Sequence, residues 1–422
     1  TGVFQLEGTG MRRYIKELKP TVFSDIAAMV ALYRPGPMEH IPTFIKAKHG
    51  EVPISYPDPA LKSILEPTYG VIVYQEQVLF ISQTIAGFSL GQADILRKAM
   101  GKKIAEVMKK EKGHFLDGAK QKGFSSQRAE EIFALIEPFS GYAFNKAHAV
   151  SYALIAYQTA YLKANYPAEY ITAFLIAHAG QPEKVASAVA ECRRLGISIM
   201  PPDVQYSREN FAIERSDGQA PAIRFGLAAI KNVGPGAIKP IINERNKSGK
   251  FKSIEDLCRR CDLSGVNKRV MESLLKAGAL DSLGNRGTLL GNINSILSLG
   301  QREQRLRETG QSTMFDLFGQ TTAVPMPTLE MEPAEVSDKE KATWEKELMG
   351  VSFSKQPFSP VAGSDTILCG KIEPEMEGQS VTIAGEVAIA VSSFTKAHKP
   401  FVSATLEDIS GQVEVVAWSN VY

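Results

Sequence analysis

Hydrophobic residues recur three and four positions apart through most of the first 195 residues, which predicts a series of amphipathic helices. The series breaks at RPGP (34–37), because no helix continues through two prolines that flank a glycine. The segment at 140–167 is apolar on most faces after its first residues, so we expect its helix to be central and buried. One large helical domain is predicted, with helices within 26–33, 70–87, 88–100, 125–138, 140–167, 168–179 and 184–195.

The pattern changes near Gly196. Short alternating segments at 197–204 and 210–226 predict strands beside turns. Residues 225–246 then have the pattern of a helix, a tight Gly-Pro-Gly turn and a second helix, and 266–284 repeats this outline without the same glycines. A tandem helix-hairpin-helix module is therefore predicted after the helical domain.

The periodicity is lost at 301–333, which is predicted to be a linker, and an acidic helix around Trp344 follows. Strong alternation near the C-terminus then predicts the opening of a small β-barrel without enough strands to close. Its three strands are expected at 381–391, 401–406 and 412–418. The predicted fold class is thus mostly α, with an incomplete C-terminal β-barrel.

Length and composition narrow the class of protein. A chain of 422 residues is too long for one hydrophobic core, so two to four domains are expected. Four scattered cysteines cannot form a disulfide framework, and the CxxC at Cys258 and Cys261 has no partner pair, so an ordinary helix is favoured there over a metal or redox site. No apolar run approaches the ~18 residues of a membrane span and no signal peptide is visible, so we expect a cytoplasmic protein. Because the sequence opens on Thr1 and closes on a strand-like segment, we also expect it to be part of something larger.

Charge is unevenly distributed, although the net charge is only +2. The stretch 96–112 carries seven cations and two anions, and extension to Lys122 gives nine cations minus three anions, or +6. Such an excess on helically spaced residues indicates a polyanionic partner, with a merely solvated surface helix as the alternative. Arginine would supply a bidentate fork and lysine a movable point charge to a triphosphate or a phosphodiester backbone.

The hairpin KNVGPGA (231–237) points more specifically to a duplex. Its glycines permit close approach of a nucleic-acid backbone, and the start of the next helix offers unpaired N–H groups to a phosphate. Residues 231–276 hold 11 cations and five anions, again +6. A plain turn between two helices is the alternative, and the second copy near Asn267 is the weaker candidate.

Three further segments carry polar or apolar groups in unexpected places. FNKAH (144–148) places polar residues at the start of the most apolar helix, which suits a cleft, although His148 alone is also typical of a hydrogen-bonded structural histidine. YQEQ (74–77) similarly interrupts an apolar helix. QSTMFDLF (311–318) is an apolar island within the linker that suits a partner's pocket, with a chance hydrophobic patch as the alternative.

Groupings that would mark a reaction centre are missing from the sequence. Two-metal phosphoryl transfer needs clustered carboxylates, and no D-x-D occurs. No HExxH, P-loop or Ser/His/Asp arrangement occurs either. On its residues alone the chain is predicted to be a positively charged platform.

Seven ordered segments resemble the bacterial replicative DNA polymerases of family C, and the resemblance covers essentially the whole chain. They are TGVFQLEGTGM, MVALYRPGP, EPTYGVIVYQEQV, ADILRKAMGKK, GYAFNKAHAVSYA, YQTAYLKANYPAEY and KNVGPG. The resemblance implies five parts: 1–24 as the end of the palm, 25–200 as the fingers, 201–290 as the duplex-binding tandem helix-hairpin-helix, 291–370 as a linker with a clamp-binding motif and a short acidic helix, and 371–422 as part of an OB fold.

The resemblance also implies roles for individual residues. Arg97 and Lys98 fall where the family's pair of basic fingers residues meets the incoming dNTP, and Lys98 stands where a second arginine is common, so the charge is kept but a bidentate fork is lost. The other expected nucleotide-binding residues are Lys102, Lys103, Asn145, Lys146 and His148. The expected DNA-binding residues are Lys231, Gly234, Gly236, Lys239, Lys268 and Arg269, and the expected clamp-binding residues are Gln311, Met314 and Phe315.

The implied activity is that of a DNA-directed DNA polymerase, a nucleotidyltransferase that uses Mg²⁺. The family's three metal-binding aspartates belong to palm segments that precede Thr1, so no metal site and no catalytic residue is expected here, and the segment is expected to be inactive alone. The implied partners are primer–template DNA, dNTP, the sliding clamp (β subunit) and the other holoenzyme subunits, without a membrane.

A different class of protein is the alternative. A non-catalytic helix-hairpin-helix and OB scaffold of a repair or recombination complex would explain residues 200–422. It would leave the basic stretch at 96–122 and the FNKAH segment without a function.

Overall fold

The computed structural model describes residues 1–102, 105–140, 143–215, 218, 220–309, 329–354, 366–372, 376–395, 397–408 and 411–421. They divide into two compact units, Gly2–Asn165 and Tyr166–Tyr422, with Thr1 grouped with the second. Among the described helices, none is long and apolar enough to cross a membrane.

The first unit is built mainly of helices in its described part. Its α-helices are α1 (Thr9–Leu18), α2 (Phe23–Leu32), α3 (Ile41–Lys48), α4 (Lys62–Leu65), α5 (Gln75–Ala86), α6 (Leu90–Lys102), α7 (Ala105–Gln121), α8 (Ser126–Ser140) and α9 (Lys146–Asn165). The predicted helices around α2, α5, α6 and α8 are confirmed. The charge-rich stretch at 96–112 falls at the end of α6 and the start of α7, and residues 103–104 lie outside the described structure.

Two hydrophobic clusters stabilise this unit. One forms among α4 to α8 around Phe115 and Phe133, and the other joins α1, α2 and α3 around Phe44. Helices α5 and α7 approach closely at Gly118, where an added Cβ would overlap the backbone of Ala86. A glycine is therefore required at this crossing for steric reasons.

The prediction that α9 is a central, buried helix is wrong. Only the stripe Ala149, Ala153 and Ala156 is buried, and α9 packs along α2. These small side chains let the two helices approach closely along one face, and at the edge of this contact the Tyr157 ring lies 6.4 Å from that of Phe23 in α2. The large apolar residues left exposed are Val150, Leu154, Ile155, Tyr157, Tyr161 and Leu162.

The second unit combines helices with two small sheets. Its elements are α10 (Pro167–Ala177), α11 (Pro182–Arg194), β1 (Ser198–Met200), β2 (Ala212–Glu214), β3 (Ala222–Arg224), α12 (Pro235–Ser248), α13 (Ile254–Arg260), α14 (Lys268–Lys276), α15 (Arg286–Gly291), α16 (Ile293–Thr309), α17 (Asp338–Met349), β4 (Glu386–Phe394), β5 (Pro400–Asp408) and β6 (Gly411–Ala417). One hydrophobic core runs through α10 to α16 and β1 to β3. Across the described chain the fold is mostly α, as predicted.

The two sheets follow the predicted hairpins closely. Strands β2 and β3 pair antiparallel on either side of the predicted turn, and β1 pairs parallel with β3, which makes β3 central. Strands β4, β5 and β6 form a second, antiparallel sheet, with the first strand starting five residues later than predicted. Whether this sheet belongs to an OB fold stays a prediction.

Two local predictions in this unit are wrong. The segment before the Gly-Pro-Gly turn is a short 3-10 turn at Leu227–Ala229 and not a full helix, because a glycine at 226 precedes it and the chain turns again at Asn232, whose φ is +70°. The predicted linker starts too early, because α16 continues through Thr309 and packs on α13. Charged residues at 301–309 make this end of α16 a polar surface helix.

Helix α17 is fastened to the hairpin region by a buried ion pair. Arg286 Nη1 lies 2.8 Å from Glu345 Oε1, and the two side chains are 6% and 1% exposed. Burial alone would raise the pKa of Glu345, but hydrogen bonds from Ser354, Arg286 and the Phe353 N–H hold it below its ordinary value. Since Arg286 begins α15, this pair ties residues far apart in the chain into one body.

Candidate nucleic-acid interface

The first candidate site begins with the two basic residues of α6. Arg97 Nε and Nη2 donate to Asp94 Oδ1 at 3.0 and 2.8 Å, and Lys98 Nζ lies 2.7 Å from Asp94 Oδ2. These positions are three and four residues apart, so one helical face carries all three groups. The hydrogen bonds from Lys98 and Arg97 hold the pKa of Asp94 below its ordinary value. Two cations and one anion leave a net charge of +1 at this point.

The first turn of α5 connects this basic pair to the start of α9. Arg97 Nη1 donates to Gln75 Oε1 at 3.4 Å, and Gln75 Nε2 donates to the Ala143 carbonyl at 3.1 Å. The backbone supports the same junction, because Gln75 N–H donates to the Phe144 carbonyl and Tyr74 forms a parallel β-bridge with Phe144. The YQEQ and FNKAH segments, separated by 70 residues, therefore meet beside Arg97.

The FNKAH segment forms a capped helix N-terminus. The Glu76 carboxylate accepts from Lys146 N–H at 3.0 and 3.1 Å and from Asn145 Nδ2 at 3.1 Å. Asn145 Oδ1 in turn accepts from His148 N–H at 2.9 Å. Both groups of the Asn145 side chain are thus engaged in capping α9. Carboxylate charge at this end also matches the helix dipole.

Lys146 and His148 present their side chains differently. Lys146 Nζ lies 5.7 Å from the centre of the Tyr74 ring. The exposed His148 ring lies between Phe144 and Tyr152, with centroid distances of 5.2 and 4.2 Å. The structure therefore brings Arg97, Lys146 and His148 to one junction. The Lys102 side chain and Lys103 lie outside the described residues.

The second candidate site is the Gly-Pro-Gly hairpin. Gly234 is the N-cap of α12, Pro235 is its first residue, and no side chain caps this end. Apart from neighbouring residues of the chain and the backbone of α12 itself, no described atom lies within 4 Å of a Cβ added at Gly234 or Gly236, and neither glycine has a positive φ. Neither internal packing nor backbone strain explains these two glycines. The open surface instead suits close approach by an external backbone.

The two hairpins lie side by side. A Cβ on Gly265, in the turn before α14, would lie 3.2 Å from the Gly236 carbonyl oxygen, and Asn232 Nδ2 donates to Ser273 Oγ at 3.1 Å. The second helix start is already capped, because Asn267 accepts from Val270 N–H at 3.0 Å. The first hairpin is therefore the more open of the two to an anion.

The predicted cations surround these hairpins on the surface. Lys231, Lys268 and Arg269 are exposed, and no carboxylate among the described residues lies within salt-bridge distance of them. Lys239 is exposed and lies 3.8 Å from Glu209. The hairpin face thus carries uncompensated positive charge beside an uncapped helix N-terminus.

Four residues of the first site were missed as functional candidates. The pairing of Asp94 with Arg97 and Lys98 could have been predicted from their helical spacing of three and four residues. Gln75 and Glu76 were visible only as unusual polar positions, and Arg34 carried no signal beyond the RPGP break. Arg34 Cζ lies 4.2 Å from the centre of the Phe144 ring, so a further cation packs at this junction.

The remaining predicted sites have a mixed outcome. Gln311, Met314 and Phe315 lie outside the described residues, so the clamp motif stays a prediction. Within the described part of the chain, no group of three or more His, Cys, Asp or Glu side chains could hold a metal ion. Burial raises the pKa of the Cys258 and Cys261 thiols to about 12, which favours the ordinary-helix interpretation of the CxxC.

Comparison with known proteins defines the class first. Residues 1–123 match the family described as the bacterial DNA polymerase III alpha subunit finger domain, and residues 196–289 match a helix-hairpin-helix motif. The first region contains Arg97, Lys98 and the first turn of α5, and the second contains the hairpin site, whereas Lys146 and His148 lie beyond the first match.

Individual relatives then show to which proteins the whole chain is similar. The chain is 40% identical over 434 residues to DNA polymerase III subunit alpha of Vibrio cholerae, 40% identical over 433 residues to that of Thermus aquaticus, and 39% identical over 441 residues to that of Escherichia coli K12. Each match covers 100% of this chain and 37%, 34% and 37% of the relative, so the chain spans about a third of their length. The predicted resemblance is confirmed: over its full length the chain is similar to a segment of bacterial DNA polymerase III alpha subunits.

Proposed function

We propose that this chain is the part of a replicative DNA polymerase that contacts the incoming dNTP, holds product duplex and binds the sliding clamp. The observation that carries the proposal is the junction of Arg97 with Lys146 and His148, of which Arg97 and its partner Gln75 lie in the region similar to a polymerase finger domain. The same proposal includes the division of the chain into palm, fingers, duplex-binding, linker and OB parts, with the boundaries given above.

The proposed role of Arg97 and Lys98 is electrostatic. As a primer hydroxyl attacks the α-phosphorus, negative charge shifts onto the leaving pyrophosphate, and the two cations stabilise that charge. Carboxylates outside residues 1–422 would hold Mg²⁺, which would activate the hydroxyl and screen the triphosphate. The residues described here bind and orient the nucleotide.

Single-nucleotide incorporation by the polymerase that contains this segment tests the role of Arg97. Arg97→Ala should lower kcat/KM for dNTP by roughly 100-fold, because a donor to developing charge is removed. Arg128→Ala on α8 is the matched control, since Arg128 is also paired with a carboxylate, Glu131 Oε2 at 3.1 Å, but lies outside the site. Unchanged kinetics for Arg97→Ala would exclude the phosphate role and favour a non-catalytic scaffold.

The hairpins would hold duplex through phosphates and so without sequence preference. The uncapped α12 N-terminus and the neighbouring cations support this assignment. On the C-terminal sheet, Trp418 is 54% exposed and its ring centroid lies 5.3 Å from that of Phe401, which suits stacking of unpaired bases.

The described residues on either side of the proposed clamp segment form hydrogen bonds at α13 and its C-terminal end. Arg307 Nη2 donates to the Cys261 carbonyl at 2.6 Å, and Leu329 N–H donates to Glu255 Oε1 at 3.3 Å. A clamp-binding motif between these residues would tether the polymerase to the clamp and raise its concentration at the primer end. Changing Met314 and Phe315 to Ala should shorten products made with the clamp and leave short extension without it unchanged. Equal losses in the two assays would make the segment structural.

A further inference from the structure

The Arg97 guanidinium is held from two sides. Asp94 Oδ1 accepts from Nε and Nη2, and Gln75 Oε1 accepts from Nη1 at 3.4 Å. Three of the five guanidinium N–H groups are thereby engaged, and the remaining two, one on each terminal nitrogen, have no acceptor among the described residues. One free N–H on each terminal nitrogen is the arrangement with which arginine binds a phosphate bidentately.

Gln75 joins this fork to a second element. Its amide nitrogen donates to the Ala143 carbonyl, and its backbone N–H donates to the Phe144 carbonyl. The next residue, Glu76, caps α9 at Lys146. The first turn of α5 is therefore bonded on one side to Arg97 and on the other side to the segment that carries Lys146 and His148.

We propose that Gln75 and Asp94 are positioning residues, which aim the Arg97 fork at the triphosphate and fix its distance from the start of α9. The inference rests on the proposed nucleotide role of Arg97. Gln75 is the more informative position to test, because it is neutral: its loss changes the geometry and leaves the charge of the site unchanged, whereas loss of Asp94 changes both.

The test is a double-mutant cycle on the polymerase that contains this segment. Gln75→Ala should raise KM for dNTP about tenfold, with a smaller change in kcat, because a hydrogen bond to a charged group is lost. It should weaken competitive inhibition by inorganic triphosphate by a similar factor. In an Arg97→Ala background, Gln75→Ala should add less than about twofold, since residues that act through one another are not additive.

Two further variants keep the outcome interpretable. Gln75→Met retains the side-chain volume without hydrogen bonds and should reproduce the Gln75→Ala effect with an unchanged melting temperature. Gln83→Ala, two turns along the same helix, should leave KM unchanged.

The possible failures are distinguishable. If the Gln75→Ala and Arg97→Ala effects multiply fully, Gln75 acts independently of Arg97 and the positioning role is overturned. The same holds if Arg97→Ala impairs nucleotide binding but Gln75→Ala does not. If Arg97→Ala itself has no effect on nucleotide, the proposed function is wrong and the positioning role falls with it.

Discussion

Replacement of the two hairpin glycines by alanine should leave the stability of the fold unchanged or slightly higher and should weaken the binding of duplex. Replacing Gly234 and Gly236 by Ala adds two methyl groups where no described atom lies within 4 Å, on backbone without positive φ. The folded chain should therefore accept both methyl groups without strain. In contrast, the same methyl groups should obstruct a phosphate that approaches the start of α12.

The magnitudes follow from the local geometry. Gly236 lies in the first turn of α12, where alanine is favoured over glycine by up to about 1 kcal/mol, so the variant should be as stable as the parent or slightly more stable. The van der Waals radius of a methyl group beside the N–H groups at the start of α12 would keep a phosphate beyond hydrogen-bond distance. Loss of a hydrogen bond to a charged group costs about 1.5–3 kcal/mol, which corresponds to roughly 10- to 100-fold in Kd.

Fluorescence anisotropy of the 422-residue chain with labelled duplexes measures this effect. Two duplexes of unrelated sequence should lose affinity equally, and the slope of log K against log salt should fall by about one for each phosphate that the variant no longer binds. Gly113→Ala in α7 is the matched control, because its added Cβ also meets open space but lies outside the hairpins. A variant that is stable and binds duplex normally would refute backbone recognition by the hairpin, and a loss confined to one sequence would refute recognition through phosphates.

Two predictions concern stability and are measured by thermal and denaturant unfolding. Gly118→Ala should cost about 1–3 kcal/mol because its Cβ would overlap the Ala86 backbone, whereas Gly113→Ala in the same helix should cost nothing; equal midpoints for the two variants would contradict the α5–α7 packing. Glu345→Gln should cost about 3 kcal/mol at pH 7, because Arg286 stays buried after losing this partner's charge. The folded pKa of Glu345 is lowered, so its stabilisation is present above the unfolded value of about 4.3 and is lost as pH falls through the folded value. The parent should therefore lose stability below about pH 4 more steeply than the variant; parallel pH profiles would exclude Glu345 as the titrating group.

Most local structure was predictable because it depends on residues within one or two turns. Hydrophobic spacing located α5, α8 and α11, and a run of alternation located β5. The Gly-Pro-Gly hairpin and its cations were likewise visible, since the requirement for glycine and positive charge is encoded by neighbouring residues. The Asp94 pairing also follows from helical spacing alone.

Tertiary structure decided what depends on contacts between distant residues. The link from Arg97 through Gln75 to Ala143 joins three segments, and no local pattern specifies such a bond. Helix α9 shows the same limit: its composition indicated burial, but only a stripe of three alanines is buried, because that face packs closely along α2. The sequence by itself therefore determined which elements form and which residues carry the charge, and packing determined which of those charges meet at one site.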